Sequence, residues 1–176
     1  MARECVDRAP AIHLIFEWIH TILGVYCTLG ITMTIDDVYK LFGEASHWAS
    51  ILEEELGNIC MINERVINQD KYKTENPKAI IEMFEKKTIG QLIKILRNVL
   101  GKELEDKVDT IFKPALESRN RLIHGFFITH HDILKNKNMI QSAVVELSKI
   151  KESISLAADA ATKICTALTA QYQAAT

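Results

Sequence analysis

From Ile35 to about Asn68 apolar residues recur every three or four positions, at Val38, Leu41, Phe42, Ala45, Trp48, Leu52, Leu56, Ile59, Ile62 and Val66. That is the period of a helix with one buried face, and its length predicts a rod of about 50 Å. A second long stripe starts near Met139 and runs almost to the C-terminus through Ile140, Ala143, Val144, Leu147, Ile150, Ile154, Ala157, Ala161, Ile164 and Leu168, with Asn136 and Asn138 available as caps. Ala157, Ala158, Ala160 and Ala161 would let another helix, of this chain or of a second protomer, approach closely. Between the rods, Gln69 to Asn76 is polar, and Asn76-Pro77 predicts a helix start. Lys86-Lys87-Thr88 interrupts that helix, and Thr88 caps a segment striped by Ile89, Leu92, Ile93, Leu96 and Val99 that ends at Gly101. A further helix is expected from near Lys102 to about Thr129, with Pro114 kinking it or opening its second half. Strand signals, internal repeats and linkers are missing. The pattern predicts an all-α fold, an antiparallel bundle of four main helices over residues 33–176. Glu53, Glu54 and Glu55 fall on the outside of the first rod and read as a solvated face.

Residues 1–32 stand apart as an apolar extension. The run from 9 to 31 is broken by His13, Glu17 and His20. As a membrane span it would carry Glu17 near its middle, at about 2.5 to 3.5 kcal/mol. As a signal peptide it has Glu4 and Asp7 offsetting Arg3 and Arg8 and no small-x-small cleavage site. The remaining alternatives are a helix packed on the bundle and an extension upstream of a start at Met33, where Thr34 could cap a helix with Asp37 at its third position.

Composition narrows the chemistry. The 176 residues are 48% hydrophobic and 25% charged, with seven Gly and three Pro, a balance suited to one helical domain. A net charge of −2 gives no general electrostatic footprint for nucleic acid, so any RNA contact must be local. Cys5, Cys27, Cys60 and Cys165 form no C-x-x-C pair, which argues for reduced thiols rather than a zinc ribbon or disulfide scaffold. No P-loop, GxGxxG, GxSxG or HExxH occurs. No cofactor is expected, and membrane attachment is not the favoured reading.

One stretch conflicts with its own pattern. In Arg119-Asn120-Arg121-Leu122-Ile123-His124-Gly125-Phe126-Phe127, steps of 100° from Phe112 place Val108, Ala115, Leu116, Leu122, Ile123 and Phe126 within one arc of roughly 120°. Arg119 falls in the middle of that arc. A guanidinium keeps its proton, so it must be paired or reach a polar cleft. Asn120 and His124 share the adjoining face. Arg121 falls opposite the arc, where it is solvated or joins Lys113, Lys135 and Lys137 in an RNA path. If the helix continued, Asn120, His124 and His131 would form one stripe beside His130, but no Asp, Glu or Cys set of ligand spacing accompanies them, and no metal site is expected.

Arg119, Asn120, three further residues and His124, late in a helical domain, resemble the Arg-x4-6-His signature of the HEPN superfamily. Gly125-Phe126-Phe127 continues as in one bacterial branch, and the segments from about Met33 onward fit that family's bundle, whereas residues 1–32 do not match it. Arg121 is a second, unmatched cation, which leaves open which arginine faces the cleft. The resemblance implies a metal-independent endoribonuclease, cytoplasmic, with a catalytic set of Arg119, Asn120 and His124 shared across a homodimer and RNA as its partner. A toxin or defence effector of this kind would have a neutralising protein partner. The family also contains non-catalytic members, so an interaction or nucleotide-binding module is the alternative.

The chemistry stands without the family. Metal-free RNA cleavage needs the 2′-hydroxyl made nucleophilic, the phosphorane charge stabilised and the 5′ oxygen protonated. His124 suits proton transfer, Arg119 offers the phosphate two parallel N–H donors, and Asn120 could orient either. One copy lacks a second proton carrier, which a two-fold pair would supply.

Overall fold

The computed structural model describes residues 33–67, 81–82, 84, 86–133 and 136–175. The chain divides into two units, Met1–Thr34 and Ile35–Thr176, and the architecture below is that of the second. The expectations for residues 1–32 and for a helix start at Asn76-Pro77 lie outside the described residues. Regular structure among those described is entirely helical.

The first rod is α1, Ile35–Ile67, with Val38, Ala45, Leu52, Leu56 and Ile59 fully buried. Helix α2, Ile89–Leu100, begins where the sequence supplies a reciprocal cap. Thr88 Oγ1 accepts from the Gln91 amide at 3.4 Å, and Gln91 Oε1 accepts from the Thr88 amide at 2.9 Å. It ends at Gly101, whose φ of 77° is the left-handed conformation that a side chain would resist. A single 3-10 turn, Lys102–Leu104, leads into α3, Glu105–Asn120. Pro114 sits inside α3 without ending it, at the cost of one backbone bond. A π-helical turn, Arg121–Gly125, follows, and then the four-residue α4, Phe126–Thr129. The last rod is α5, Lys137–Ala175.

Pairs across the interfaces fix the directions of the helices. Lys151 Nζ meets Glu44 Oε2 at 2.8 Å and Thr162 Oγ1 donates to Glu55 Oε1 at 3.3 Å, both separated by 107 residues. A constant separation means that α1 and α5 run the same way. Arg119 meets Glu53 while Phe127 meets Tyr39, so the segment from α3 to α4 runs against α1. Arg97 and Asp109, at 2.6 Å, close α2 and α3 into a hairpin. Simple alternation of direction would have opposed the two long rods, which instead lie parallel and form the largest interface of the fold.

The alanines explain that interface. Ala157, Ala158 and Ala161 are completely buried, and they lie between Lys151 and Thr162, both bonded to α1. The close approach they permit is therefore to α1 of the same chain. Phe112, Leu96, Leu122, Phe126 and Leu147 complete the core, each burial contributing about 1.5 to 3 kcal/mol. The acidic run is not one solvated face. Glu53 binds Arg119 and Glu55 accepts from Thr162, both at partly exposed positions, while Glu54 points to solvent. Among the described residues no helix is long and apolar enough to cross a membrane.

Candidate functional site

The motif lies where α3 gives way to the π turn. A turn closed by i→i+5 bonds holds one residue more than an α-helical turn, and such turns are concentrated at functional sites. In an uninterrupted α-helix residues five apart would be rotated by about 140°. Widening the turn brings such residues toward one face, so the five-residue spacing of Arg119 and His124 fits the π turn better than the α-helix assumed from periodicity. The uniform 100° step also fails for Ile123, which it places in the apolar arc and which is 48% exposed. Burial follows Leu122, Phe126, His130 and Ile133 instead.

Arg119 is half-buried and places Nη2 3.3 Å from Glu53 Oε1 on α1. This meets the requirement that a cation on an apolar arc be paired. Asn120 and His124 are exposed, and their side chains make no hydrogen bond or ion pair among the described residues, with Arg119 or otherwise. The three are neighbours on one turn rather than an interlocked set. Lys113 is exposed on α3. Lys135 and the side chain of Lys137 lie outside the described residues.

Arg121 departs from the sequence reading. Expected to be solvated or to line an RNA path, it folds back on the protein. Its Nε is 2.5 Å from Glu146 Oε1 on α5, and Nη1 donates to Thr129 Oγ1 at 2.8 Å and to the Gly125 carbonyl at 3.3 Å. Gly125 makes room for this, since a Cβ there would stand 3.0 Å from Arg121 Nη1. The other oxygen of Glu146 lies 2.8 Å from His130 Nε2. His130 is only 4% exposed, its ring lies 4.8 Å from that of Phe126, and its Nδ1 is buried without a hydrogen-bond partner. Nε2 is therefore the ring nitrogen that donates to Glu146. Burial pushes the Glu146 carboxyl upward, but the hydrogen bonds from Arg121 and His130 outweigh that and hold it below the usual carboxylate value. The hydrogen bond to Glu146 raises the already high Arg121 value further.

Sequence reasoning missed this cluster, although two signals were present. His130 continues the buried line of Leu122 and Phe126 at a spacing of four, so a histidine occupied a core position. Glu146 flanks Leu147, one residue before it on the stripe of α5. The stripe of Asn120, His124 and His131 required a continuing helix. The chain turns at 130–133 instead, and His131 is exposed beside Asp132 at 2.9 Å. Among the described residues no group of three or more His, Cys, Asp or Glu side chains could hold a metal ion.

Away from the motif, a shallow groove of about 410 Å³ is lined by Glu55, Asn58, Cys165, Thr166, Thr169, Ala170 and Gln173. Burial and the neighbouring Glu55 raise the Cys165 thiol, and burial pushes Cys60 up to about 12, so neither is an activated nucleophile. The chain matches no family model, no curated protein and no solved structure.

Proposed function

We propose that the chain is a metal-independent endoribonuclease of the HEPN type, acting in the cytoplasm as a toxin or defence effector. The observation that carries this reading is the π turn Arg121–Gly125, which starts just past Arg119 and carries His124 as an unengaged imidazole at the surface, near a half-buried guanidinium. In the reaction His124 transfers protons, Arg119 places its N–H donors on the phosphorane, and the RNA's own 2′-hydroxyl attacks the phosphorus as the 5′ oxygen leaves with a proton. Glu53 holds a terminal nitrogen of Arg119 in the resting protein and would have to share or yield it to the phosphate. Each chain supplies one His124, so the proposal places two copies of a HEPN-like helical bundle around one groove, the second His124 completing the proton inventory.

Purified protein incubated with RNA in EDTA tests this directly. Cleavage should persist in chelator and leave 2′,3′-cyclic phosphate ends, as expected when the neighbouring hydroxyl rather than water attacks. His124→Ala and Arg119→Ala should abolish it, and Arg119→Lys should restore it only in part, because a point charge cannot reproduce the planar fork. A requirement for divalent metal, products with 5′-phosphate ends, or undiminished cleavage by His124→Ala would refute the mechanism. A strict monomer by light scattering at tens of micromolar, the order expected for weak dimers, would remove the composite site.

The second reading is a non-catalytic interaction module of the same kind. It is favoured by the apolar surface beside the motif, where Tyr39, Ile123, Phe127 and Ile128 are all exposed and the Tyr39 and Phe127 rings lie 6.1 Å apart. Inactivity of the folded protein on diverse RNAs would favour this reading.

A further inference from the structure

The residue that holds the motif in place is not on the motif helix. We propose that Glu146 is the positioning residue of the candidate site: by bonding Arg121 and His130 at once, it fixes the π turn that carries His124. The inference rests on the ribonuclease reading for its consequence in catalysis, but its structural part stands by itself.

The geometry is that of a clamp on an irregular stretch of helix. Arg121 is the first residue of the π turn and Gly125 the last. The Arg121 side chain spans that distance, with Nη1 on the Gly125 carbonyl and on Thr129 Oγ1 one turn further. Through Nε it is tied to one oxygen of Glu146, and the second oxygen takes His130, just beyond α4. One carboxylate thus anchors both ends of the segment 121–130 to α5. π turns are rare and occur mostly as single turns inside α-helices, and this one is bracketed by side-chain bonds from outside it. His124 makes no bond of its own among the described residues, so its placement depends on the backbone beneath it. The side chains bonded to Glu146 are Arg121 and His130. His130 is buried, and the partly exposed Arg121 spends its Nε and Nη1 on Glu146, Gly125 and Thr129. Their use is to hold, and catalysis is left to Arg119 and His124.

The test compares the wild type, Glu146→Gln and the milder Arg121→Lys by amide hydrogen exchange and by NMR of the His124 ring. If the clamp holds the turn, Glu146→Gln should accelerate exchange at residues 122–129 about tenfold or more while leaving buried amides of α1 and α5 unchanged, and should move the His124 ring resonances. Arg121→Lys should give the same pattern at smaller amplitude. In RNA cleavage both variants should lower kcat several-fold with KM unchanged, because the phosphate-binding Arg119 is untouched, and Glu146→Asp should recover part of the loss. Unchanged exchange at 122–129, or an equal rise throughout the bundle in both variants, would overturn the proposal. So would the local exchange effect without any loss of kcat in an active enzyme. If the wild type cleaves no RNA, the ribonuclease reading and the catalytic consequence fall together, whereas the local exchange pattern would still establish Glu146 as the residue that fixes the turn.

Discussion

The seam between α1 and α5 and the segment from Arg121 to Ile133 are built on opposite principles. The seam is regular: alanines and leucines at helical spacing fill its centre, and the ion pair of Lys151 with Glu44 stands at its partly exposed flank. That pair is local and solvent-screened, and the hydrogen bond from Lys151 lowers the Glu44 carboxyl below its usual value. The segment 121–133 inverts the usual distribution. It buries a histidine, exposes Ile123 and Ile128, and leaves the α-helical register, and specific polar bonds to Glu146 hold it in that state. Packing that follows a period tolerates loose polar edges, whereas a departure from the period must be paid for by bonds between particular atoms.

That contrast yields four graded expectations. Leu52→Ala, at the fully buried centre of the seam, should cost about 2 to 5 kcal/mol through the cavity it leaves. Because the seam is the largest interface, denaturant unfolding should shift for all probes together; a loss confined to α1 would break the picture of a single seam.

Glu146→Gln should cost about 1 to 3 kcal/mol, the range for removing a charged hydrogen-bond partner, toward its lower end because the site is partly exposed. It should also change the acid limb of stability. Glu146 has a folded value below its unfolded one, so its ionised form contributes stability that is fully present above the ordinary carboxylate range. That contribution is lost as pH falls through the lowered folded value. The variant should therefore show a flatter decline below about pH 4.5 than the wild type, as measured by urea midpoints at stepped pH. An identical acid limb in the two proteins would mean that the clamp carries no charge-dependent stability.

Arg119→Ala and His124→Ala should each change stability by less than about 1 kcal/mol, since one loses a partly exposed ion pair and the other an unengaged surface ring. Thermal melts would check this, and a large loss at either position would identify it as structural rather than functional.

The smallest effect is expected at Gly125→Ala. Alanine gains about 0.5 to 1 kcal/mol over glycine within a helix, but its Cβ would meet Arg121 Nη1 at 3.0 Å and Cδ at 3.3 Å. The two effects should nearly cancel in overall stability while exchange at Gly125 to Thr129 rises. Clear stabilisation with unchanged local exchange would show that the fit over Gly125 is not tight.

The sequence by itself determined the helical class, both long rods and most of their buried positions, because a 3.6-residue period of apolar side chains has one favourable burial, although Ala49 and Cys60 are buried off the expected stripe and Val66 on it is exposed. It also determined the start of α2 at Thr88 and its end at Gly101, where capping chemistry is local. The candidate set of Arg119, Asn120 and His124 was legible as a conflict between residue type and position. Tertiary structure alone decided the rest. The parallel course of α1 and α5 depends on how the chain reverses between them, which periodicity within a helix does not encode. The π turn and the inward path of Arg121 arise from Glu146, 25 residues further on in the chain, and a sequence window that assumes one rotation per residue cannot register a partner that changes that rotation. Glu53, read as solvated, became the partner of Arg119 for the same reason: its neighbour lies 66 residues away and is brought close only by folding.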